Sequence, residues 1–122
     1  PAGVLTARLT FWLYPLSTEP VGTALGPAPQ VGARMDTVEG TEPAAVSDAQ
    51  YLLVLDEDQA VWGVPVWQRR NDRLWLYYDL DLRAYAGHTI YLQFGVVNDG
   101  AGGITAMYVD DVSFELCPPA AP

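Results

Sequence analysis

The sequence predicts an all-β fold, a single antiparallel β-sandwich with almost no helix. Three observations predict it. Stretches of period-two apolar alternation recur along the chain, turn-forming clusters separate them, and no helical period persists. The length, 122 residues, is that of one domain. Half the residues are apolar and 17% are charged, a composition for a packed core rather than disorder.

The elements follow in order. In Val4–Tyr14, the residues Leu5, Ala7, Leu9, Phe11 and Leu13 alternate with Thr6, Arg8, Thr10 and Trp12. That is a half-buried strand, and Pro15 is expected to end it. Residues 15–48 are rich in Pro, Gly, Thr and Glu and read as a long loop, with a short strand near Ala33–Val38. Loops of that length are uncommon in compact domains and often functional. Tyr51–Leu55 and Val61–Trp67 flank Asp56-Glu57-Asp58 and read as a hairpin across an acidic turn. Pro65 assigns the second arm to an edge or a bulge. Trp62 and Trp67 flank that proline and are expected to cap one end of the sandwich.

After the turn at Arg69–Asp72, Leu74, Leu76, Tyr78 and Leu80 alternate with Trp75, Tyr77 and Asp79 in another strand. Leu82–Gly87 reads as one helical turn closed by Gly87 in the left-handed conformation. His88–Val97 follows, with Ile90, Leu92, Phe94 and Val96 on one face. Asn98–Gly103 reads as a hairpin loop, and Ile104–Leu116 as the last strand. Residues 1–117 form the module. The tail, 118–122, is Pro-Pro-Ala-Ala-Pro and reads as linker, so a module cut from a longer protein is expected.

Composition excludes several chemistries. The net charge is −9, with fifteen acidic residues against six basic ones, and such a surface repels nucleic acid and anionic membrane. No apolar run approaches the roughly 20 residues of a spanning helix. All the basic residues are arginines, which removes lysine Schiff-base chemistry and the phosphate-loop lysine. His88 and Cys117 each occur once, so a two-His oxygenase triad or a structural zinc site cannot be built. His88 reads as a surface turn residue. Cys117 reads as a small buried residue or a partner for a cysteine outside this chain. Asp56 and Asp58 have calcium-loop spacing, but Ala60 fails the next ligand position and no glycine follows, so turn chemistry is expected there.

The last strand holds an acidic pair. Unbroken alternation of Ile104, Ala106, Tyr108, Asp110, Val112, Phe114 and Leu116 would point Asp110 into the core, where it needs donors, an arginine or a cation. A bulge near Asp110-Asp111 would instead turn Val109 and Val112 both inward and re-aim an acid to the edge. Three roles stay open for the pair: accepting backbone N–H groups, holding a structural cation, for which oxygen ligands favour Ca²⁺, or acting as a catalytic carboxylate.

Three stretches resemble the C-terminal half of MAM-like jelly-roll modules. They are Tyr77-Tyr78-Asp79-Leu80 with Tyr85-Ala86-Gly87-His88-Thr89-Ile90-Tyr91-Leu92-Gln93-Phe94, then Asn98-Asp99-Gly100, then Ala106-Met107-Tyr108-Val109-Asp110-Asp111-Val112-Ser113-Phe114. Cys117 stands where the family often closes with a cysteine. Ala7-Arg8-Leu9-Thr10-Phe11-Trp12 is similar to the family's early strand. The match covers residues 74–117 well and the middle weakly. It implies a jelly-roll or galactose-binding-like sandwich in a secreted or cell-surface protein, with Asp110 or Asp111 as a structural ligand or loop anchor. The family's opening strands are missing from the match, so the sandwich is expected to lack its first strands. Another segment or chain, by strand exchange or homo-oligomerisation, is then expected to cover an open sheet edge.

Four Trp and seven Tyr are a high aromatic load. Trp12, Tyr14, Trp75, Tyr77 and Tyr91 fall on the non-core phase of their strands. If those strands share a sheet, the rings could form a platform for sugar rings. The ordinary alternative is that aromatics favour strands and cover packed edges. The expected function is a non-catalytic extracellular adhesion or interaction module with a protein or glycan ligand. The alternatives are a carbohydrate-binding module using these aromatics, or a glycoside hydrolase, which would need two carboxylates facing one cleft.

Overall fold

The computed structural model describes residues 6–19, 25–33, 48–98 and 103–117. They form six strands: β1 (Thr6–Ser17), β2 (Ala49–Leu55), β3 (Val61–Gln68), β4 (Leu76–Asp81), β5 (Tyr91–Val97) and β6 (Thr105–Cys117). One short 3-10 turn, Arg83–Tyr85, lies between β4 and β5. The strands make two three-stranded antiparallel sheets, ordered β4-β1-β6 and β3-β2-β5. The pairing is nested: the first strand pairs with the last, and the second with the fifth.

The alternation read from the sequence supplies the core. Leu9, Phe11 and Leu13 of β1 are fully buried and meet Leu52 of β2 and Val66 of β3. Tyr78 and Leu80 of β4, Leu92 and Phe94 of β5, and Met107 and Val109 of β6 close around them. Every strand therefore contributes to one apolar layer between two sheets, which makes the molecule a β-sandwich. Phe11 anchors it, stacked on Tyr78 at 5.0 Å and edge-on to Phe94 at 5.0 Å.

β2 is buried on both faces, as the apolar run Tyr51–Leu55 requires. Its outer side packs Tyr51, Leu53 and Leu55 with Val61, Trp67, Val97 and Ala33. The segment 25–33 lies over this side. Trp67 Nε1 donates to Gly26 O (2.9 Å), while Val61 exchanges backbone hydrogen bonds with Gly32 and Ala33. Ala33 itself is not in a strand, and residues 34–38 of the expected short strand lie outside the described residues. So do the tail 118–122 and residues 99–102.

Several boundaries differ from the sequence reading, each for a physical reason. β1 does not end at Pro15 but runs to Ser17. Pairing with β4 stops at Leu13, and Pro15 O accepts from Arg73 N (3.1 Å) on that same side. The missing proline N–H therefore faces a side where the ladder has stopped. β5 begins at Tyr91 rather than His88, because Gly87 (φ 85°) and the His88 N–H bond to Tyr85 O still belong to the turn. β5 and β6 do not pair as the two arms of a hairpin, because they lie in different sheets. The β2–β3 hairpin is present, and Pro65 sits on an edge strand beside a register shift, where Leu52 faces Val66 but Val54 faces Gly63.

Candidate ligand-binding face

Cross-strand register builds the outer face of the β4-β1-β6 sheet. Trp12 on β1 faces Tyr77 on β4 and Asp110 on β6, and Tyr14 faces Tyr108. Residues directly opposite share a face, so these side chains stand together. Trp12 and Tyr77 lie 5.2 Å apart, Tyr14 and Trp75 5.5 Å, and Tyr14 and Tyr108 5.9 Å. Trp12, Trp75, Tyr77 and Tyr108 are exposed, with Tyr108 the most open at 61%, and Tyr14 is half-buried among them. The aromatic patch thus crosses all three strands of the sheet.

Toward the other end the same face turns polar. Thr10 stands between Asp79 and Ser113, and Arg8 between Asp81 and Glu115. Arg8 binds the Asp79 carboxylate through two nitrogens and reaches Glu115 at 3.7 Å. The hydrogen bonds from Arg8 hold the Asp79 carboxyl below its ordinary value and raise the guanidinium of Arg8 in turn. The face therefore has an aromatic end and an ion-paired end, separated by the Thr10 row.

Four of the five aromatic residues expected at a ligand face, Trp12, Tyr14, Trp75 and Tyr77, come together. Tyr91 does not join them. It lies on β5 in the other sheet, opposite Leu55, whose side chain packs on that sheet's outer side. Tyr108 is the residue the sequence reading missed, since unbroken alternation placed it in the core.

A bulge in β6 explains that miss. Thr10 faces Ser113 and Trp12 faces Asp110, so β6 spends one more residue than β1 over this interval. Asp111 takes the left-handed conformation (φ 53°), which Asp tolerates better than most residues. Its N–H bonds to Asp110 Oδ1 at 2.8 Å. Before the bulge, Val109 faces inward opposite Leu13, and Tyr108 and Asp110 face out. After it, Phe114 and Leu116 sit on the inner side, opposite Leu9 and Ala7. Of the two phases left open, the bulged one is realised.

Both acids of the pair are exposed. Among the described residues, no third Asp, Glu, His or Cys stands with them in a metal-binding group. The pair is a bulge-former here.

Other groups were also missed. Asp48, Thr105 and Ser17 form a buried chain, with Thr105 Oγ1 donating to Asp48 Oδ2 (2.8 Å) and lying 2.8 Å from Ser17 Oγ. Gln50, fully buried in β2, aims Nε2 at the carbonyls of Leu16, Arg70 and Ala106 and accepts from Arg70 N. Neither group reaches the aromatic face. Nothing in a single sequence marks a buried Gln or Asp as a knot between distant strands.

A cleft of about 580 Å³ lies elsewhere, between Val31-Gly32, the Asp56–Asp58 turn, Trp62 and His88-Thr89. Asp56 Oδ1 accepts the N–H groups of Asp58 and Ala60, which is the turn chemistry expected of it. His88 is exposed and edge-on to Trp62 at 5.0 Å. Trp62 also packs on Tyr85, whereas Trp67 stacks on Tyr51 on the outer side of its sheet. The two tryptophans therefore do not cap one end together. Cys117 ends β6 opposite Thr6 as a free thiol.

Comparison with protein-family models, curated proteins and solved structures finds no match to this chain.

Proposed function

We infer that this chain is a non-catalytic adhesion or interaction module of a secreted or cell-surface protein, and that the outer face of the β4-β1-β6 sheet holds its ligand. The observation that carries the reading is the side-by-side exposure of Trp12, Trp75, Tyr77 and Tyr108 around Tyr14 on three adjacent strands. Isolated exposed apolar residues are ordinary, but a contiguous patch on a rigid sheet marks a contact surface. The secreted setting and the jelly-roll assignment rest on the resemblance of residues 74–117 to MAM-like modules. The nested pairing of β1 with β6 and β2 with β5 supports the jelly-roll assignment.

Carbohydrate is the ligand class that fits. Sugar rings offer apolar faces to aromatic side chains and hydroxyls to polar neighbours, and Asp110 and Thr10 stand next to Trp12. A protein ligand is the second reading. The rings meet their neighbours at 54° to 67°, presenting edges as well as faces, a texture suited to an uneven partner.

Affinity electrophoresis in gels containing soluble polysaccharides tests the reading. Retardation by at least one polysaccharide, abolished by Trp12→Ala with Tyr77→Ala, is the expected result. Retardation that survives both substitutions would remove the face as the site. No retardation by any polysaccharide would leave the protein-ligand reading in its place.

A further inference from the structure

The two sides of the sandwich have different edges. On one side β3 carries Pro65 and two register shifts, and β4 carries Asp79 and Asp81 tied to Arg8 and Arg83. Prolines, bulges and charges are how sheets blunt their edges; β6 has its own bulge at Asp111, but beyond it Ser113 to Cys117 run in unbroken register with β1. On the other side β5 pairs with β2 and β6 with β1, and among the described residues nothing pairs beyond them. β6 is the longest strand, Thr105–Cys117.

Beyond the bulge, the described residues leave the inner row of β6 uncovered. Phe114 and Leu116 are each 45% exposed and Val112 is 52% exposed, although Phe114 and Leu116 stand opposite the buried Leu9 and Ala7. Ile90, Leu82 and Tyr85 join Phe114 and Leu116 around a small hollow of about 60 Å³. An apolar row continuous with the core thus runs out to an open edge. The outer row of that edge is Asp110, Ser113 and Glu115, with Asp111 at the bulge.

We propose that the β6 edge at Val112–Leu116 is a docking site for an extended segment of another polypeptide, one that alternates apolar with basic residues and adds as a strand. Strand addition uses main-chain hydrogen bonds for affinity and alternate side chains for specificity. Here the apolar side chains of the added strand cover Val112, Phe114 and Leu116, and its Lys or Arg residues face the acidic row.

Charge selects this occupant over a second copy. An antiparallel β6–β6 pairing centred on Ser113 sets Asp111 against Glu115 in both halves, between chains of net charge −9. The chain's own residues 118–122 hold three prolines, which have no N–H to give a ladder. Val112–Leu116 lies beyond the bulge from the aromatic rings, so neither reading depends on the other.

The test uses the full chain and a fluorescent nine-residue peptide alternating lysine and valine. A second peptide of equal composition, its lysines blocked at one end, is the control for non-specific charge. In anisotropy titrations at low salt the alternating peptide is expected to bind at least tenfold more tightly. Phe114→Asp with Leu116→Asp is expected to weaken it at least tenfold, and Trp12→Ala to leave it unchanged. Equal binding of the two peptides, or none, overturns the proposal. So does a concentration-dependent dimer that excludes the peptide, since the occupant would then be a second copy. If the double variant fails to fold, wild-type amide resonances decide: shifts at Val112–Leu116 on peptide addition uphold the site, and shifts confined elsewhere overturn it.

Discussion

Trp12 on β1 stands directly opposite Asp110 on β6, and the next matched pair toward the start of β1, Thr10 with Ser113, is reached only after β6 has spent an extra residue. That one residue decides what each half of β6 shows. Tyr108 is sent outward to the aromatic patch, while Phe114 and Leu116 are sent to the inner side at an open edge. Both proposed contact surfaces therefore come from the same local irregularity.

The left-handed backbone of Asp111 should govern how substitutions there behave. Glycine adopts φ 53° without strain but is more flexible unfolded, so Asp111→Gly should stay within about 1 kcal/mol of the parent. Asp111→Val places a β-branched side chain in a left-handed conformation and should cost roughly 2 kcal/mol. Urea unfolding of the two variants checks this. Equal stabilities would mean that β6 is not bulged at Asp111.

Ligand binding should follow the sheet rather than the count of exposed aromatics. Trp12→Ala and Tyr108→Ala should each weaken binding about tenfold, which is ~1.4 kcal/mol. Tyr91→Ala, on the other sheet, should leave it unchanged although Tyr91 is 47% exposed. Titration with whichever ligand retards the parent protein gives the comparison. A loss at Tyr91 equal to that at Trp12 would remove the aromatic patch as the site.

The sequence made the core of this protein easy to read. Leu9, Phe11 and Leu13, then Tyr78 and Leu80, then Leu92 and Phe94 each alternate without interruption, and each set faces inward. Period two has no ambiguity while it lasts. It left two phases open at Asp111, and the inserted residue there reverses the phase and puts Tyr108 outside. It failed at Pro15, because whether a proline breaks a strand depends on which neighbour still pairs there. Trp12, Tyr14, Trp75 and Tyr77 were legible as outward-facing, but which strands are adjacent was not, and this is why Tyr91 was grouped with them. Contacts between residues as distant as Asp48 and Thr105 left no local trace at all.

Gln50 should be costly to replace. Its Nε2 lies 2.9 to 3.1 Å from three carbonyls, on β1, on β6 and in the connection at Arg70. Gln50→Leu keeps much of the volume but leaves those carbonyls and the Arg70 N–H without this partner. Buried unpaired polar groups cost about 1–3 kcal/mol each, and partial relaxation should bring the total to about 3 kcal/mol. A thermal melt that shifts by less than a degree would show that the carbonyls find other donors.

Acid should weaken the fold through its ion pairs, with a defined sign. Asp79, Asp81 and Asp72 are each hydrogen-bonded by an arginine, which holds their carboxyls below the ordinary 3.8 in the folded state. A group depressed on folding stabilises the protein at pH values above its unfolded value. That contribution is lost as pH falls through the folded value, so the window opens near 3.8 and extends downward. All three carboxyls are solvent-facing, so the effect is modest and falls further in high salt. Overall charge complicates a simple acid titration, because approaching the pI near 4.1 also relieves repulsion among the excess carboxylates. Comparing the parent with Arg8→Gln separates the two effects. The variant should be less stable at pH 6, and the gap should close as pH drops below 3.8 and Asp79 takes up its proton. A gap that persists unchanged to pH 2 would show that Arg8 stabilises the sheet by packing its aliphatic stem, not by its charge.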